Sequence, residues 1–250
     1  MEVSVILLTK NCQKIIKRSL KSIAWAKEIV IIDDFSEDET VKVARSVNLK
    51  GKLRVYRRHL KNDFASQRNF GLMKAKLKWV LFVDADEVVS LELKKEITNL
   101  EPKNSINGYL IPRRDFLWGK KLRYGETGKM KLLRLGKKGC GSWERGVHEY
   151  WNIKGNLGNL KSEIAHHPHE NLSKFMEQIN YYSSLHAKEL QKEGKRGTIF
   201  NIIAQPIGKF IQNYFFKLGF LDGIYGLIMA IMMSIHSFLG WSKLWLNEKN

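Results

Sequence analysis

The segment from Trp79 to Glu87 constrains the fold of this chain more than any other part of the sequence. Its residues are Trp-Val-Leu-Phe-Val-Asp-Ala-Asp-Glu, so an unbroken apolar run ends abruptly in two aspartates separated by one residue. Such a run is typical of a strand that is buried on both faces, as in a parallel sheet. Asp84 and Asp86 are then expected at the carboxyl end of that strand, where open α/β sheets bind their ligands.

Strand-like and helix-like segments alternate before and after this run. Three earlier apolar strands are predicted, at 3–8, 28–32 and 53–56. Ser36 and Glu39 form a capping-box pattern that predicts the start of a helix, and Ser90 is predicted to cap a later one. The alternation predicts an α/β fold with a doubly wound mixed sheet and helices on both faces. No glycine-rich loop follows the first strand, which argues against a P-loop or an ordinary dinucleotide site.

Carboxylates also end the second predicted strand, as Asp33 and Asp34. In a sheet of this kind both acidic pairs face one crevice. One pair can accept hydrogen bonds from a nucleobase or a ribose, and the Asp84–Asp86 pair can hold a divalent metal on phosphate oxygens. Arg68 lies between them in a helical segment and is placed to reach a diphosphate. Each residue alone is equally consistent with a turn or a solvated surface, but together they predict a nucleotide-sugar site.

The chain is strongly basic, with 43 Lys+Arg against 25 Asp+Glu and a net charge of +18. This balance predicts anionic partners, namely nucleic acid, acidic lipid or phosphorylated substrates. The two cysteines, Cys12 and Cys140, have no metal-type spacing, so neither a disulfide scaffold nor a zinc site is indicated. A strand-like segment follows Met1 at once, which predicts no signal peptide and a cytoplasmic location.

Four motifs resemble those of family-2 glycosyltransferases and occur in the same order. They are VSVILLTKN at 3–11, IIDDFSEDET at 31–40, QRNFG at 67–71 and FVDADE at 82–87. The resemblance extends over about residues 3–100 and continues more weakly to about 170. It implies a GT-A fold and an inverting transfer from a nucleoside diphosphate sugar.

The same resemblance implies roles for individual residues. The candidate donor-binding residues are Thr9, Asn11, Asp33, Asp34, Arg68 and Asp84. Asp84 is expected on the ribose and Asp86 on a divalent metal, Mn or Mg. Asp84 is a further candidate metal ligand, and so, independently of the resemblance, is His169, which precedes a predicted helix. Phe35 occupies a position that is usually glycine in this family, so the turn there is expected to differ.

Three histidines, at 166, 167 and 169, lie within a short segment. They are predicted first as surface or phosphate-contacting groups, second as ligands of the active-site metal, and last as a zinc site. Together with the segment Trp143–Glu149, a predicted helix from Leu172 to about Glu193 and the apolar tail, they resemble small bacterial glycosyltransferases that extend the lipopolysaccharide inner core. That resemblance implies glucose transfer from UDP-glucose to a lipid-linked glycan acceptor.

The general base is harder to identify, because the chain has no Glu-Asp pair after residue 88. Glu149 is the first candidate, since His148–Glu149 followed by Tyr150 and Trp151 suggests a carbohydrate pocket with apolar walls. Glu144 is the second candidate. The alternative for Glu149 is an ion pair with one of the many basic side chains.

The carboxyl-terminal segment has a different character. From Gly223 to Trp241 it contains no formally charged residue. This uncharged stretch is nearly as long as a transmembrane helix, although His236 and the glycines count against a simple span. Residues 199–246 are predicted to form two packed helices on or in the cytoplasmic leaflet. The alternative is a hydrophobic dimer interface, so a homo-oligomer is possible. We therefore expect domains at 1–170 and 171–250, and a peripheral protein on the inner face of the plasma membrane.

Two other functions are consistent with parts of the sequence. The charge of +18 alone favours a nucleic-acid-binding protein, but no helix-turn-helix, zinc-finger spacing or RNP motif supports one, so nucleic acid is an unlikely partner. The other is a catalytically inactive membrane scaffold of the same fold. It is distinguished by whether manganese and a UDP-sugar raise the melting temperature together.

Overall fold

The computed structural model describes residues 1–128, 130–146 and 149–249. Its strands are β1 (Ser4–Thr9), β2 (Glu28–Asp33), β3 (Leu53–Arg57), β4 (Trp79–Phe82), β5 (Glu87–Val89), β6 (Ile106–Leu117), β7 (Lys120–Lys121), β8 (Lys131–Lys137), β9 (Gly141–Glu144), β10 (Tyr150–Ile153), β11 (Asn156–Asn159) and β12 (Ile164–His166). Its helices are α1 (Ile16–Ser22), α2 (Thr40–Ser46), α3 (Phe64–Lys74), α4 (Leu91–Thr98), α5 (Leu172–Lys192), α6 (Ile199–Ile211) and α7 (Ile224–Asn247).

The chain forms two compact units. The first comprises Met1–Arg113 and Lys131–His166, and the second comprises Arg114–Met130 and His167–Asn250. The segment 114–130, although central in the sequence, therefore packs with the carboxyl-terminal helices. The domain limits expected from the sequence, 1–170 and 171–250, stay a prediction.

A mixed sheet with the strand order β3-β2-β1-β4-β8-β6-β12-β5 organises the fold. Strands β3, β2, β1 and β4 are parallel, and β8 joins them antiparallel to β4. Because the first four strands run in one direction, their carboxyl ends share one edge, where Thr9 lies opposite Asp33 in register. The α/β fold with a mixed, GT-A-type sheet that the sequence predicts is confirmed.

Strands β1, β2 and β4 are buried on both faces, and their successive side chains point to opposite sides of the sheet. Val5, Leu7 and Leu81 belong to one apolar cluster, which includes residues of α1 and α4. Residues that alternate with them, such as Ile6 and Phe82, belong to a second cluster with α3 and the β9–β10 hairpin. Helix α3 comes so close to β1 that a Cβ on Gly71 would lie 2.7 Å from Ile6 Cγ2.

The helix predicted after the second strand starts later than the capping-box pattern indicates. Helix α2 begins at Thr40, and its N-cap residue, Glu39, makes no side-chain capping bond. Ser36 is held instead by Asp33, whose Oδ2 accepts from the Ser36 N–H at 2.9 Å. The capping box is therefore wrong, because a buried carboxylate competes for the same serine. The cap at Ser90 is confirmed, since its hydroxyl accepts from the Leu93 N–H at 3.1 Å.

The second unit contains three long helices. Helix α5 covers the segment that the sequence predicted, and α6 and α7 pack on each other as expected. A π-helical turn (Gln212–Phe216) and a 3-10 turn (Gly219–Asp222) connect α6 to α7. Among the described residues, α7 is the one helix that is long and apolar enough to cross a membrane.

Candidate active site

Two buried arginines converge on the aspartate that follows β4. Asp84 Oδ1 accepts a hydrogen bond from Arg68 Nη2 at 2.9 Å, and Asp84 Oδ2 accepts one from Arg134 Nη2 at 2.6 Å. Arg68 is 4% exposed and Arg134 is 6% exposed. Both oxygens of Asp84 are thus engaged by guanidinium groups, so this carboxylate is fixed in position at the sheet edge.

Two further carboxylates complete this cluster. Arg68 Nε donates to Glu149 Oε1 at 2.9 Å, which joins the strand-end motif to a residue far along the chain. Glu87 Oε2 accepts from the backbone N–H of Asp84 at 2.9 Å, and its other oxygen lies 3.5 Å from Arg134 Nη2. Arg68 also packs against an aromatic wall, with its guanidinium 4.7 Å from the ring of Trp143. The result is a group of three carboxylates held by two buried arginines, in which Glu87 is fully buried and Asp84 and Glu149 are partly exposed.

The cluster shifts the pKa values of Asp84 and Glu87 in opposite directions. Burial alone would raise the pKa of Asp84, but the charges of Arg134 and Arg68 outweigh burial and hold this pKa well below its usual range. Burial raises the pKa of Glu87, and the neighbouring charge of Asp84 adds to that effect against the opposing charge of Arg134. Asp84 is therefore an anion at neutral pH, while Glu87 takes up a proton more readily than an ordinary glutamate.

Asp86 does not join the arginines. Its Oδ2 lies 3.4 Å from Nε2 of His166, which β12 brings beside β5 by the pairing of His166 with Glu87. Among the residues that the structure describes, no group of three or more His, Cys, Asp or Glu side chains forms a metal site. The Asp86 carboxylate is nevertheless an oxygen ligand of the kind that Mg²⁺ and Mn²⁺ prefer, because Mg²⁺ is usually held by one or two carboxylates together with water and substrate phosphates.

His169, the other candidate ligand, belongs to the second unit. Its ring stacks on Phe175 with the ring centroids 3.4 Å apart, and its Nδ1 lies 2.6 Å from Gln178 Oε1. His166, at the end of β12, contacts the strand-end Asp86. A metal role for His169 stays a prediction.

The carboxyl ends of β1 and β2 carry the first group of predicted donor-binding residues. The hydroxyl of Thr9 donates to Asp33 Oδ1 at 3.0 Å, and the Ser36 hydroxyl donates to the same oxygen at 2.6 Å. Asp33 is completely buried. These bonds give Asp33 a role in shaping the loop that follows β2, so that a direct contact from Asp33 to the nucleotide stays a prediction.

Asp34 and Asn11 lie nearer the surface of the same edge. Asp34 Oδ1 accepts from the Leu60 N–H at 3.0 Å, and its Oδ2 lies 3.6 Å from Lys10 Nζ. Asn11 adopts a left-handed backbone conformation with φ of 46°, and its Oδ1 accepts from the Glu37 N–H at 2.9 Å. Both side chains therefore brace neighbouring loops, and their contacts with a nucleotide also stay predictions.

Phe35 adopts the backbone conformation that glycine favours, with φ of 48°. Its ring stacks on that of His59 with the centroids 4.0 Å apart, and the Arg57 guanidinium lies 5.9 Å from the Phe35 ring. A phenylalanine at this position thus keeps a glycine-like turn and adds an aromatic surface to it.

The two candidate bases occupy different surroundings. Glu149 lies in the arginine cluster, whereas Glu144 is on β9 and accepts from Tyr150 Oη at 2.6 Å and from Asn152 Nδ2 at 2.7 Å. These bonds, that of Tyr150 first, lower the pKa of Glu144. Glu144 also lines a 390 Å³ cavity beside α3, whose lining does not include Asp84 or Arg68. His148, which supported the choice of Glu149, lies outside the described residues.

Arg134 is the residue of this cluster that sequence reasoning missed. It stands in a long basic stretch and has no motif of its own. Strand β8 pairs antiparallel with β4 so that Leu135 lies opposite Leu81, which places Arg134 near the end of β4. The sequence offered one weak signal, an arginine between apolar residues at 132–135, but the pairing of strands so far apart gives it its meaning.

A mixed sheet of this order, with acidic residues after β2 and β4, is of the GT-A type that the sequence predicts. The sequence profile of glycosyl transferase family 2 matches residues 4–139, which is more than half of the chain. The chain therefore belongs to glycosyl transferase family 2.

Relatives and solved structures agree with this assignment. The chain is 25% identical to an uncharacterized glycosyltransferase of Rickettsia typhi, over 97% of this chain and 86% of the relative. It is 26% identical to the lipopolysaccharide core biosynthesis glycosyltransferase LpsC of Rhizobium meliloti, over 97% of this chain and 91% of LpsC. The structure of Staphylococcus aureus TarS 1-349 in complex with UDP superposes with a TM-score of 0.54 and 17% identity, over 100% of this chain and 92% of that one. That likeness shows the fold.

Proposed function

We propose that this family-2 enzyme transfers a sugar, glucose from UDP-glucose in the first instance, onto a lipid-linked glycan such as the lipopolysaccharide inner core, with inversion at the anomeric carbon. The observation that carries the proposal is the junction at Arg68, which contacts Asp84 on the donor side and Glu149 from the later segment. The similarity to LpsC supports a lipopolysaccharide acceptor. The UDP and UDP-GlcNAc complexes of TarS support a uridine donor.

A divalent metal is part of this proposal. Asp86 and His166 supply a carboxylate and an imidazole on neighbouring strands, with 3.4 Å between them. When bound, the metal would neutralise charge on the diphosphate of the donor. Asp84 already has both oxygens on arginines, so in this arrangement Asp86 is the better ligand of the two aspartates.

Glu149 is the proposed general base. In an inverting transfer the acceptor oxygen bonds to the anomeric carbon, the bond to UDP breaks, and the acceptor hydroxyl proton passes to the base. Arg68 holds Glu149 at 2.9 Å and keeps it beside the donor-side carboxylate. The ion pair that the sequence raised as an alternative role for Glu149 is therefore present, and in this proposal it positions the base.

Membrane association is supported by the hairpin of α6, the connecting turns and α7, in which many apolar side chains are exposed and several charged side chains are paired. The exposed apolar side chains of this hairpin include Ile199, Phe200, Ile203, Ile207, Ile211, Phe215, Phe216, Phe220, Leu221 and Ile224. Three of its charged side chains have partners within the same unit: Lys209 with Glu126, Asp222 with backbone N–H groups, and Lys243 with α5. An exposed apolar surface of this composition marks a contact with lipid or with another protein. Together with the charge of +18, it favours an anionic bilayer and hence a peripheral enzyme on the inner face of the plasma membrane.

A donor screen tests the proposed activity. Purified protein is supplied with manganese, a lipopolysaccharide-core acceptor and each UDP-, GDP-, ADP- or dTDP-sugar in turn, and nucleotide release is measured. We expect release of UDP that depends on the acceptor. If no sugar nucleotide reacts and manganese with UDP-glucose fails to raise the melting temperature, the protein is an inactive scaffold of the same fold.

A further inference from the structure

We infer that α7, although long enough to cross a bilayer, lies in the plane of the membrane, where it and α6 insert as a hairpin into one leaflet. This inference rests on the membrane association in the proposed function and specifies its geometry. The partner is the anionic phospholipid surface. The hairpin is defined here as residues 199–247.

Length alone would favour a span. At 1.5 Å per residue, the 24 residues of α7 extend about 36 Å, against about 30 Å for the hydrocarbon core of a bilayer. The 13 residues of α6 extend only about 20 Å. If α7 crossed the bilayer, the shorter α6, which is attached to it, would lie in the hydrocarbon without being long enough to span it.

The two helices of the hairpin are joined along their lengths and run antiparallel. Midway, the Ser234 hydroxyl donates to the Pro206 carbonyl at 2.8 Å. At the closed end, a Cβ on Gly226 would lie 1.9 Å from the Gly219 carbonyl oxygen, and at the open end Gly197 packs on Trp245. Helix α7 therefore cannot be tilted into the bilayer without moving α6 with it.

A polar loop, residues 123–125, is hydrogen-bonded to the segment just before the amino end of α7. Asp222 Oδ2 accepts from the backbone N–H groups of Arg123 and Tyr124, both at 2.9 Å, and the Gly125 N–H donates to the Lys217 carbonyl at 2.9 Å. If α7 crossed the bilayer from its carboxyl end, this irregular loop would have to enter or cross the hydrocarbon. Lipid offers no hydrogen-bond partners to such backbone, so a crossing is strongly disfavoured.

An ion pair adds to the cost of insertion at the same end. Lys209 Nζ lies 2.8 Å from Glu126 Oε1, and Asn213, which is 2% exposed, donates to Glu126 Oε2 at 3.2 Å. These groups join the loop to the last turn of α6 and to the π-helical turn that follows it. They are compatible with a position at the polar side of a leaflet, and they would be costly in the middle of a bilayer.

The carboxyl end of α7 is tied to a charged helix. Lys243 Nζ donates to Asn180 Oδ1, Ser183 Oγ and Ser184 Oγ, each at 2.8 Å, so that α5 is fastened to α7. Helix α5 carries exposed ion pairs, Lys174 with Glu177 and Lys192 with Glu189. Both ends of α7 are therefore fixed to polar structure, and only the in-plane orientation leaves that structure in water and headgroups.

The in-plane orientation also matches the charges at the open end. Lys195 and Arg196 precede α6 and Lys249 follows α7, and all three are exposed. An in-plane hairpin can bring such groups to anionic headgroups while its exposed apolar face enters the acyl region.

Cysteine accessibility tests the orientation on the full-length protein. In a Cys140→Ser background, with Cys12 buried, Thr127→Cys and Lys249→Cys report the two ends of α7. Each variant is floated with sealed vesicles of equimolar phosphatidylcholine and phosphatidylglycerol and treated with a membrane-impermeant maleimide. We expect both cysteines to react fully without detergent. Protection of either one until detergent is added would overturn the in-plane orientation in favour of a span.

A depth measurement provides the second readout. Fluorophores at Phe200→Cys and Phe216→Cys, near opposite ends of the exposed face, are quenched by lipids with shallow or deep nitroxides. We expect both positions to be quenched best by the shallow label, because they lie at one depth. Preferential quenching of Phe216→Cys by the deep label would overturn the inference.

The failures of the two proposals give different results. Protein that does not float, and that forms a dimer crosslinked through Phe216→Cys, would show a subunit interface and reject both membrane association and the in-plane hairpin. Protein that floats but is protected at one end rejects the hairpin orientation alone. Nucleotide release by the same samples reports the transferase activity independently of both.

Discussion

Arg134 donates to Asp84 at 2.6 Å from the side opposite Arg68, so that one strand-end carboxylate is held between two buried guanidinium groups. Asp84 belongs to the proposed donor site, and its position is fixed from β8 as well as from α3. The site is therefore built from both the parallel half of the sheet and the antiparallel strand beside it.

Replacement of Arg134 tests how much this clamp contributes. Arg134→Met should lower the free energy of unfolding by about 3 kcal/mol, since it removes the arginine partner of the buried Glu87 and leaves Asp84 with Arg68 alone. Arg134→Lys keeps the charge and should lose less. Urea denaturation of both variants measures the difference. Equal stability of Arg134→Met and wild type would show that Arg68 alone suffices.

The base is tested by a matched pair of glutamines. Glu149→Gln should bind UDP-sugar normally and lose about 10²–10⁴-fold in turnover, because glutamine keeps the shape but cannot accept the proton. Glu144→Gln, in the same segment but bonded to Tyr150 and Asn152, should remain active. If Glu144→Gln is inactive and Glu149→Gln is active, the role passes to Glu144. If both are active, Glu87 or a histidine at 166–169 is the next candidate.

The metal proposal distinguishes His166 from His169. Asp86→Ala and His166→Ala should abolish the rise in melting temperature that manganese gives in the presence of UDP, and Asp86→Ala should abolish transfer. Both should fold, because these side chains lie at strand ends outside the apolar core. His169→Ala is the control and should keep the manganese effect. Loss of that effect in the control alone would reassign the metal to His169.

Acid should destabilise the protein through its paired carboxylates. The pKa of Asp84 is lowered, with burial opposed by Arg134 and Arg68, and that of Glu28 is lowered, with burial opposed by bonds from Lys76, Ser4 and Arg54. Groups with a lowered folded pKa contribute stability that is present above their unfolded pKa values, about 4, and lost as pH falls through the folded values. The melting temperature should therefore decrease as the pH is lowered below about 4.

Two variants separate the site from the scaffold in that experiment. Asp84→Asn and Glu28→Gln should each flatten the acid limb of the melting-temperature profile. Only Asp84→Asn should also reduce transfer, since Glu28 lies at the start of β2, away from the carboxyl ends of the strands. An unchanged acid limb in both variants would place the acid-sensitive groups elsewhere.

Salt and apolar substitutions should weaken membrane binding in different ways. Each well-placed Lys or Arg contributes about 1 kcal/mol on an anionic surface, so Lys195→Glu with Arg196→Glu should reduce flotation chiefly at low salt. Phe215→Ser with Phe216→Ser should reduce the residual binding at high salt, because buried apolar area is not screened. Wild-type protein that ignores anionic vesicles at low salt would contradict both expectations.

The sequence predicted most of the parallel half of the sheet, and physical patterns explain why. The apolar run before Asp84 forms a strand with every residue buried, and the acidic pairs at 33–34 and 84–86 lie at strand ends. These features depend on local periodicity, which a single sequence displays. The cap at Ser90 and the extent of α5 are local in the same sense.

Other features depended on distant partners and were not accessible. Ser36 and Glu39 match the capping-box pattern in sequence but form no capping box in the structure, because Asp33 binds Ser36. Arg134 gains its role only from the pairing of β8 with β4, and His166 from the pairing of β12 with β5. No local pattern reveals which of several basic or histidine residues an antiparallel strand will bring to the site.

In the proposed reaction, the ion pair between Arg68 and Glu149 would make the electrostatics at the donor depend on the protonation state at the acceptor. In the proposed reaction, Glu149 loses its negative charge when it takes the hydroxyl proton, and Arg68 loses one of its two counter-ions. The departing diphosphate gains negative charge in the same step. The guanidinium is then attracted to the leaving group just as the new glycosidic bond forms, so proton uptake on one side and nucleotide departure on the other would be synchronised by a single side chain.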